Sequence, residues 1–503
     1  MNPLSRRELL RRAGALGVAA PVLPFALNLA AFGNASAATA GDYKALVCLF
    51  MQGGNDAYNS VLATDAASWS AYTAARSPGA DPIALAAPGV PADSRATTFH
   101  GTLGGVLPIS PLHNQGRSFA VHPLLGAVRD LFGAGRLAVV ANVGPLLRPT
   151  AKADYASVSF PKPAKLFSHN DQQSTWQTST PEGAGLGWGG RMTDLLMSGN
   201  TRAMFSSISV NGAAPWGVGQ QARRYQLSTA GSIHVGGATG TLFGSAVAQQ
   251  KLVALTRNAR SANLLEQDHA AVVGRSVDAD AVLAPALPAA GAGPWGTAGL
   301  AVGAADPLLQ YRNPDTGLNE TNPLAQQLQA VARTIAARTA LGMSRQVFFV
   351  SIDGFDTHDS QPRRQAVCLA QVAHALAYFD RTLGAMGVAP NVTTFTASDF
   401  GRAFESNGSG SDHGWGGHHF VMGGAVKGGD LYGSFPAYGL ADGSGGFTSP
   451  NQLANGALLP SISVDQYAAT LGRWFGVSDA SLLGILPNLA NFDVAQRNLG
   501  FLG

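Results

Sequence analysis

Histidine and aspartate gather in a few short segments of a chain in which only 13% of residues are charged. The densest segment is Asp412-His413-Gly414-Trp415-Gly416-Gly417-His418-His419, which holds three of the 11 histidines. Its glycines let the backbone turn sharply enough for the side chains to converge. Neutral imidazole mixed with carboxylate is a donor set for zinc, manganese or iron, whereas oxygen-only sets suit magnesium or calcium. Hydrogen bonding inside a glycine-rich loop would explain the histidines equally if they stood alone. A second acid–imidazole pair, Asp356-Thr357-His358, favours metal. A third segment reads Ser168-His169-Asn170-Asp171-Gln172-Gln173. Ser168 falls where a helix could begin, and backbone N–H groups there would stabilise an attacking alkoxide or a bound anion. A plain N-cap, with Asp171 in the third helical position, accounts for the same residues.

Five apolar runs must position these segments: residues 44–50, 137–143, 346–352, 392–397 and a shorter one at 419–422. Uninterrupted apolar runs bounded by Gly, Pro and Asp read as buried strands of a parallel sheet. Helical patterns alternate with them. Asn322 caps a helix with Pro323 at its first position and Gly342 as its stop; Leu324, Leu328, Val331 and Ile335 make its apolar stripe. Leu369, Val372, Leu376, Phe379 and Leu383 repeat the pattern in a helix that ends before Pro390. The order strand, loop, helix predicts an α/β fold, a mostly parallel central sheet with helices on both faces. Ligands in such sheets bind at the carboxyl ends of strands. The residues following the runs are Asn55 and Asp56, then Asp353, Asp356 and His358, then Asp399 and Arg402, then Asp412, His413, His418 and His419. Between about residues 212 and 305 the chain turns to Ala, Gly and Ser with weak periodicity, which reads as an inserted helical cap or lid.

The first residues predict export. Arg6 and Arg7 stand ahead of Leu9-Leu10, an apolar stretch follows to Phe32, and Ala35-Ser36-Ala37-Ala38 closes it with small residues. This is the pattern of a twin-arginine signal, expected to span residues 1–37 and to be removed, leaving residues 38–503 as the folded part in the periplasm or outside the cell. Gly14, Gly17, Pro21 and Pro24 interrupt the apolar stretch, so no stable membrane span is expected after cleavage. Hydrophobic residues at 46% supply a large core, and a net charge of +3 with no basic block beyond the signal argues against a nucleic-acid partner. An oxidising compartment would permit one disulfide between Cys48 and Cys368, but they lie in a strand pattern and a helix pattern and read as buried thiols; neither has a Cys-x-x-Cys partner.

The ordered motifs Gly53-Gly54-Asn55-Asp56, Ser168-His-x-Asp-Gln-Gln173, Phe355-Asp-Thr-His358, Ser398-Asp-Phe-Gly-Arg402 and Asp412-His413-Gly414 resemble a large family of exported bacterial proteins, a domain of unknown function placed in the alkaline phosphatase and sulfatase superfamily. The resemblance spans nearly the whole chain beyond the signal. It implies an alkaline-phosphatase-like fold, one or two divalent metal ions at the strand ends, and a hydroxyl that attacks phosphorus or sulfur. By that resemblance Asp56 (or Asn55) is the first-strand ligand and Ser168 the nucleophile. Asp356 and His358 hold one metal; Asp399 with Asp412, His413 or His418 holds the other; Arg402 clamps the oxyanion. Two features depart from the superfamily pattern. Phe400 stands where alkaline phosphatases place a histidine, and Asp356 and His358 are closer together than the usual pair. A Cys-x-Pro-x-Arg sulfatase motif is absent.

Two functions follow as expectations. One is a metal-dependent hydrolase of phosphate or sulfate esters, with an anionic small molecule or glycan ester as substrate. The other is a non-catalytic envelope protein that uses the same site to bind an anionic glycan or another exported protein.

Overall fold

The computed structural model describes residues 42–503 apart from 184, 211, 239, 258–261 and 301–304; the expected signal lies outside the described residues. A nine-stranded sheet runs through the molecule. Its strands are β1 (Lys44–Met51), β2 (Leu137–Gly144), β3 (Ser207–Ser209), β4 (Tyr225–Gln226), β5 (Arg345–Ile352), β6 (Val392–Ser398), β7 (Gly417–Met422), β8 (Leu431–Tyr432) and β9 (Ile462–Ser463). They lie in the order β8-β2-β7-β6-β1-β5-β3-β4, with β9 also paired to β2. β1 pairs in parallel with β5 and β6. Each predicted apolar run is a strand of this sheet, and the α/β expectation holds.

One strand reverses. β7 pairs antiparallel with β6 on one side and β2 on the other. Its start, and not its end, therefore lies beside the carboxyl ends of β1, β5 and β6. The segment Asp412–Gly416 reaches the functional edge by leading into a strand, whereas the other segments reach it by leaving one.

Helices cover both faces, as a sheet this apolar requires. Alternate residues of β1 point into separate cores, because side chains of a strand alternate between faces. Ala45, Val47, Leu49 and Met51 join one core with Leu324, Leu328 and Val331 of α7 (Pro323–Ala336) and Leu369, Val372 and Leu376 of α8 (Gln361–Ala385). Leu46, Cys48 and Phe50 join the other with Tyr467 and Leu471 of α9 (Val464–Phe475), Trp176 of α3 (His169–Thr178) and Trp188 of α4 (Trp188–Leu196). α7 stops at Ala336, and the chain reaches Gly342 through turns. Two short helices, α1 (Ala57–Ser60) and α2 (Ala66–Arg76), follow β1. Both cysteines are buried and free.

The Ala/Gly-rich region is two helices, α5 (Ala246–Arg257) and α6 (Leu264–Ala286), and they differ in anchorage. No residue of α5 is buried, while Val277, Ala279 and Leu283 of α6 are. Ala279 and Leu283 pack into the α7–α8 core. No helix among the described residues is long and apolar enough to cross a membrane.

Candidate metal centre

Three imidazoles meet at the carboxyl edge of the sheet, each delivered by a different loop. His169 is the first residue of α3. The chain enters that helix through Lys165 and Phe167 at positive φ (50° and 70°), a conformation that costs a residue with a Cβ and tends to mark functional sites. His358 comes from the loop after β5. His413 comes from a ribbon in which Gly414 N–H donates to Gly401 O and Ala403 N–H donates to Asp412 O, holding it opposite Arg402. A side chain could not be added at Gly401: its Cβ would stand 2.1 Å from Gly416 O.

The Nε2 atom of His413 lies 3.0 Å from His169 Nε2 and 2.8 Å from His358 Nε2. Asp356 closes the group, with Oδ2 3.5 Å from His169 Nε2 and Oδ1 3.1 Å from His358 Nε2 and 3.6 Å from His413 Nε2. Asp412 Oδ1 stands 3.4 Å from His358 Nδ1. For His413 and His169 the back of the ring fixes which nitrogen faces inward. His413 Nδ1 donates to the carbonyl of Phe167 at 2.7 Å, and His169 Nδ1 donates to Asp399 Oδ2 at 2.7 Å. A carbonyl and a carboxylate only accept, so both Nδ1 atoms carry a proton, and in the neutral rings two Nε2 lone pairs converge. Lone pairs facing each other at this distance repel unless a positive charge lies between them.

The donors fit a divalent cation. His169, His413 and Asp356 can each offer one ligand atom, all within 4.8 Å of one another. A ligating histidine usually donates its other N–H to a carboxylate or a backbone carbonyl, and both arrangements are present here. Asp399 is fully buried, and its Oδ2 also accepts from Gln173 Nε2 at 2.9 Å. His169 and Gln173 stand one turn apart on α3, which puts both on that carboxylate. Asp399 Oδ1 is buried with no hydrogen-bond partner among the described residues. The hydrogen bond to Asp399 raises the pKa of His169. Burial lowers that of His413, with Arg402 and the two other imidazoles adding to it. Burial alone would raise the pKa of Asp356, but the hydrogen bond and charge of Arg402 outweigh it and hold the carboxyl below its ordinary value.

The structure brings Asp356, His358, Asp399, Asp412 and His413 of the expected set to one place, with Asp399 behind His169. It places four others differently. Arg402 is fully enclosed: Nη1 donates to Gly53 O and Asp356 Oδ1, and Nε and Nη2 donate to Ser411 O. It positions Asp356 and offers no free fork to an oxyanion. Asp56 is buried against Arg76, and its Oδ2 also accepts from Gln361 Nε2 at 2.6 Å. Gln361 Oε1 in turn accepts from Thr357 and Ser411, so Asp56 sits beneath the loops that carry Asp356 and Asp412. His418 lies in the core, where its Nδ1 accepts from Asn142 N–H at 3.0 Å and its ring stacks on Phe435. Burial takes its pKa down to about 3. Ser168 donates its hydroxyl hydrogen to Asp171 Oδ2 at 2.8 Å.

Sequence reasoning gave no role to His169 or Gln173. The signal that could have found them is their spacing: both lie in the Ser168 segment, four residues apart at a helix start. Phe400 has a place too. Its buried ring lies 4.8 Å from that of His169 and 4.6 Å from that of His413, an apolar floor under both.

Beside the cluster opens a cleft of about 400 Å³ lined by His358, Asp412 and His413 on one side and by Tyr155, Phe167, Leu453, Ala454, Asn455 and Ala457 on the others.

A family model described as "Protein of unknown function (DUF1501)" matches residues 43–486. No curated protein matches the chain. Among solved structures, one titled "Crystal structure of Ps i-CgsB in complex with k-i-k-neocarrahexaose" is similar at 8% identity and a TM-score of 0.33, covering 90% of this chain and 77% of that one.

Proposed function

This chain belongs to the DUF1501 family, a family of unknown function, and we propose that it is an exported, divalent-metal-dependent hydrolase of phosphate or sulfate esters. The observation that carries the reading is the convergence of two imidazole lone pairs beside Asp356, with both rings locked from behind. The resemblance of the ordered motifs to the alkaline phosphatase and sulfatase superfamily supports the reaction class. The paired arginines ahead of an apolar stretch support export to the periplasm or beyond.

His169, His413 and Asp356 would hold the ion, with His358 and Asp412 at its open side. When bound, a divalent ion would polarise the ester and stabilise the charge that develops on its oxygens. Arg402 and Asp399 act from behind, holding Asp356 and His169 in place. His358, half exposed between Asp356 and Asp412, is the group placed to hold a proton for a leaving oxygen. The expected nucleophile, Ser168, lies next to His169 with a carboxylate partner in Asp171.

Protein purified from the periplasm is expected to carry near-stoichiometric metal by inductively coupled plasma mass spectrometry. Asp356→Ala, His169→Ala and His413→Ala should each lose most of it. A wild-type protein that carries none, and takes none up on dialysis, would end the metal reading.

The engagement of both Arg402 and Ser168 with the protein itself favours a second reading. In it the site binds an anionic glycan or another exported protein and does no chemistry. Substituting Asp356 and His358 should then weaken partner capture; unchanged capture would remove this version.

A further inference from the structure

The start of α6 is a helix that the rest of the chain leaves uncovered. None of residues 264–273 is buried, and burial begins only at Gly274. α5, beside it, buries no residue at all. Short helices are held in proteins by packing of an apolar face, because their own hydrogen bonds barely offset the cost of ordering them. Here the apolar residues point outward. Leu264 and Leu265 are 78% and 80% exposed, and Phe243, Val247, Leu255 and Val272 are exposed as well. Elsewhere among the described residues, exposed large hydrophobic residues stand singly along the chain. Single ones are ordinary, whereas a group of them marks an interaction surface.

The stripe on α6 also carries its own complement. Residues seven apart lie on one helix face, two turns or about 10 Å along the axis. Asp268 and Arg275 are seven apart and exposed, and neither has a hydrogen bond or ion pair among the described residues. The nearby Asp278 is taken by Arg257 of α5. Leu264, Ala271 and Val272 share the face of Asp268 and Arg275. An acid and a base placed this way are matched by the same face running antiparallel. A two-fold axis between Ala271 and Val272 sets Asp268 of each copy against Arg275 of the other, the reciprocity that a two-fold contact requires. Ala271 at the crossing lets the helices approach closely. The leucines at the tip of each copy then reach the end of α5 in the other. There the Arg257 stem lies along α6, its Cγ 3.5 Å from where a Gly274 side chain would begin, and gives them an apolar surface.

We propose that this stripe joins two copies of the chain, α6 against α6 in antiparallel, with Asp268 and Arg275 as reciprocal partners. The leucines supply the burial, and the two ion pairs set orientation and register more than affinity. The proposal is independent of what the metal centre does.

The test is analytical ultracentrifugation of the full chain over a range of concentrations, where the wild type should show a monomer–dimer equilibrium. Asp268→Arg and Arg275→Asp each set like charges against one another twice, and each should weaken the dimer about tenfold or more. Combining the two reversals restores opposite charges and should bring the dissociation constant back to within about threefold of the wild type. All the altered side chains are exposed, so circular dichroism should match the wild type throughout. A wild type that stays monomeric overturns the proposal, as does a dimer that the single reversals leave intact or the double reversal fails to rescue. A monomer that floats with phosphatidylglycerol vesicles, and stops doing so in Leu264→Ser with Leu265→Ser, also overturns it and assigns the stripe to a lipid surface.

Discussion

His413 and His418 are five positions apart in one motif and have opposite fates. His413 precedes β7, where the ribbon with Arg402 turns its Nε2 toward His169 and His358. His418 is inside β7 and points into the core. His418→Ala should therefore lower stability by about 2–4 kcal/mol, through lost packing and a donor left without its acceptor, while metal content stays at the wild-type level. Asp399→Asn should do the reverse, retaining the fold but weakening metal binding about 10- to 100-fold as His169 loses its orienting carboxylate. Denaturant melts read beside metal stoichiometry separate the two, and metal loss in the His418 variant would show that it is a ligand. Sequence alone could not tell these residues apart. Both are histidines among glycines, and which one faces the site depends on the direction of the strand that follows.

At the scale of elements, the loops do the convergence and the strands fix where they start. Gly53 shows how tightly the loops are stacked. It sits at φ +108°, and a Cβ there would come within 2.3 Å of Asp356 N. The β1 loop is thus the bed on which the Asp356 loop rests, which explains why a Gly-Gly-Asn-Asp turn belongs to the motif set although Asp56 itself is occupied with Arg76. The inserted region divides into an anchored and an unanchored helix. Leu283 of α6 is fully buried, whereas Leu255 of α5 is 70% exposed. Leu283→Ala is expected to cost about 2–5 kcal/mol and Leu255→Ala less than about 0.5 kcal/mol. Urea unfolding checks both, and equal effects would contradict the packing described. The apolar periodicity of α7 and α8 is legible in the sequence itself, because a stripe at helical spacing has to be covered. Residues 246–265 give a weak pattern for the matching reason: α5 covers nothing with a buried face.

At the scale of the whole molecule, folding two cores around one sheet buries groups that would otherwise titrate in water. Asp465, at the start of α9, is buried, and burial pushes its carboxyl pKa up to about 6. The folded protein then keeps a proton that the unfolded chain releases between about pH 4 and 6, so stability falls as pH rises through that window. The loss is on the order of 3 kcal/mol at neutral pH. Asp465→Asn, which can still accept from Asn488 N–H, should match the wild type at pH 4.5 and exceed it at pH 7.5 in denaturant midpoint. A variant less stable than the wild type at both values would refute this. The sequence by itself determined the α/β class, the buried strands and the segments that meet in the candidate site. Each of these depends on local composition and spacing. Only the tertiary structure decided that β7 runs backward, that Arg402 and Asp56 turn inward, and that His169 joins His358 and His413. Those outcomes depend on which loops meet across hundreds of residues, and no local pattern encodes the direction from which a partner arrives.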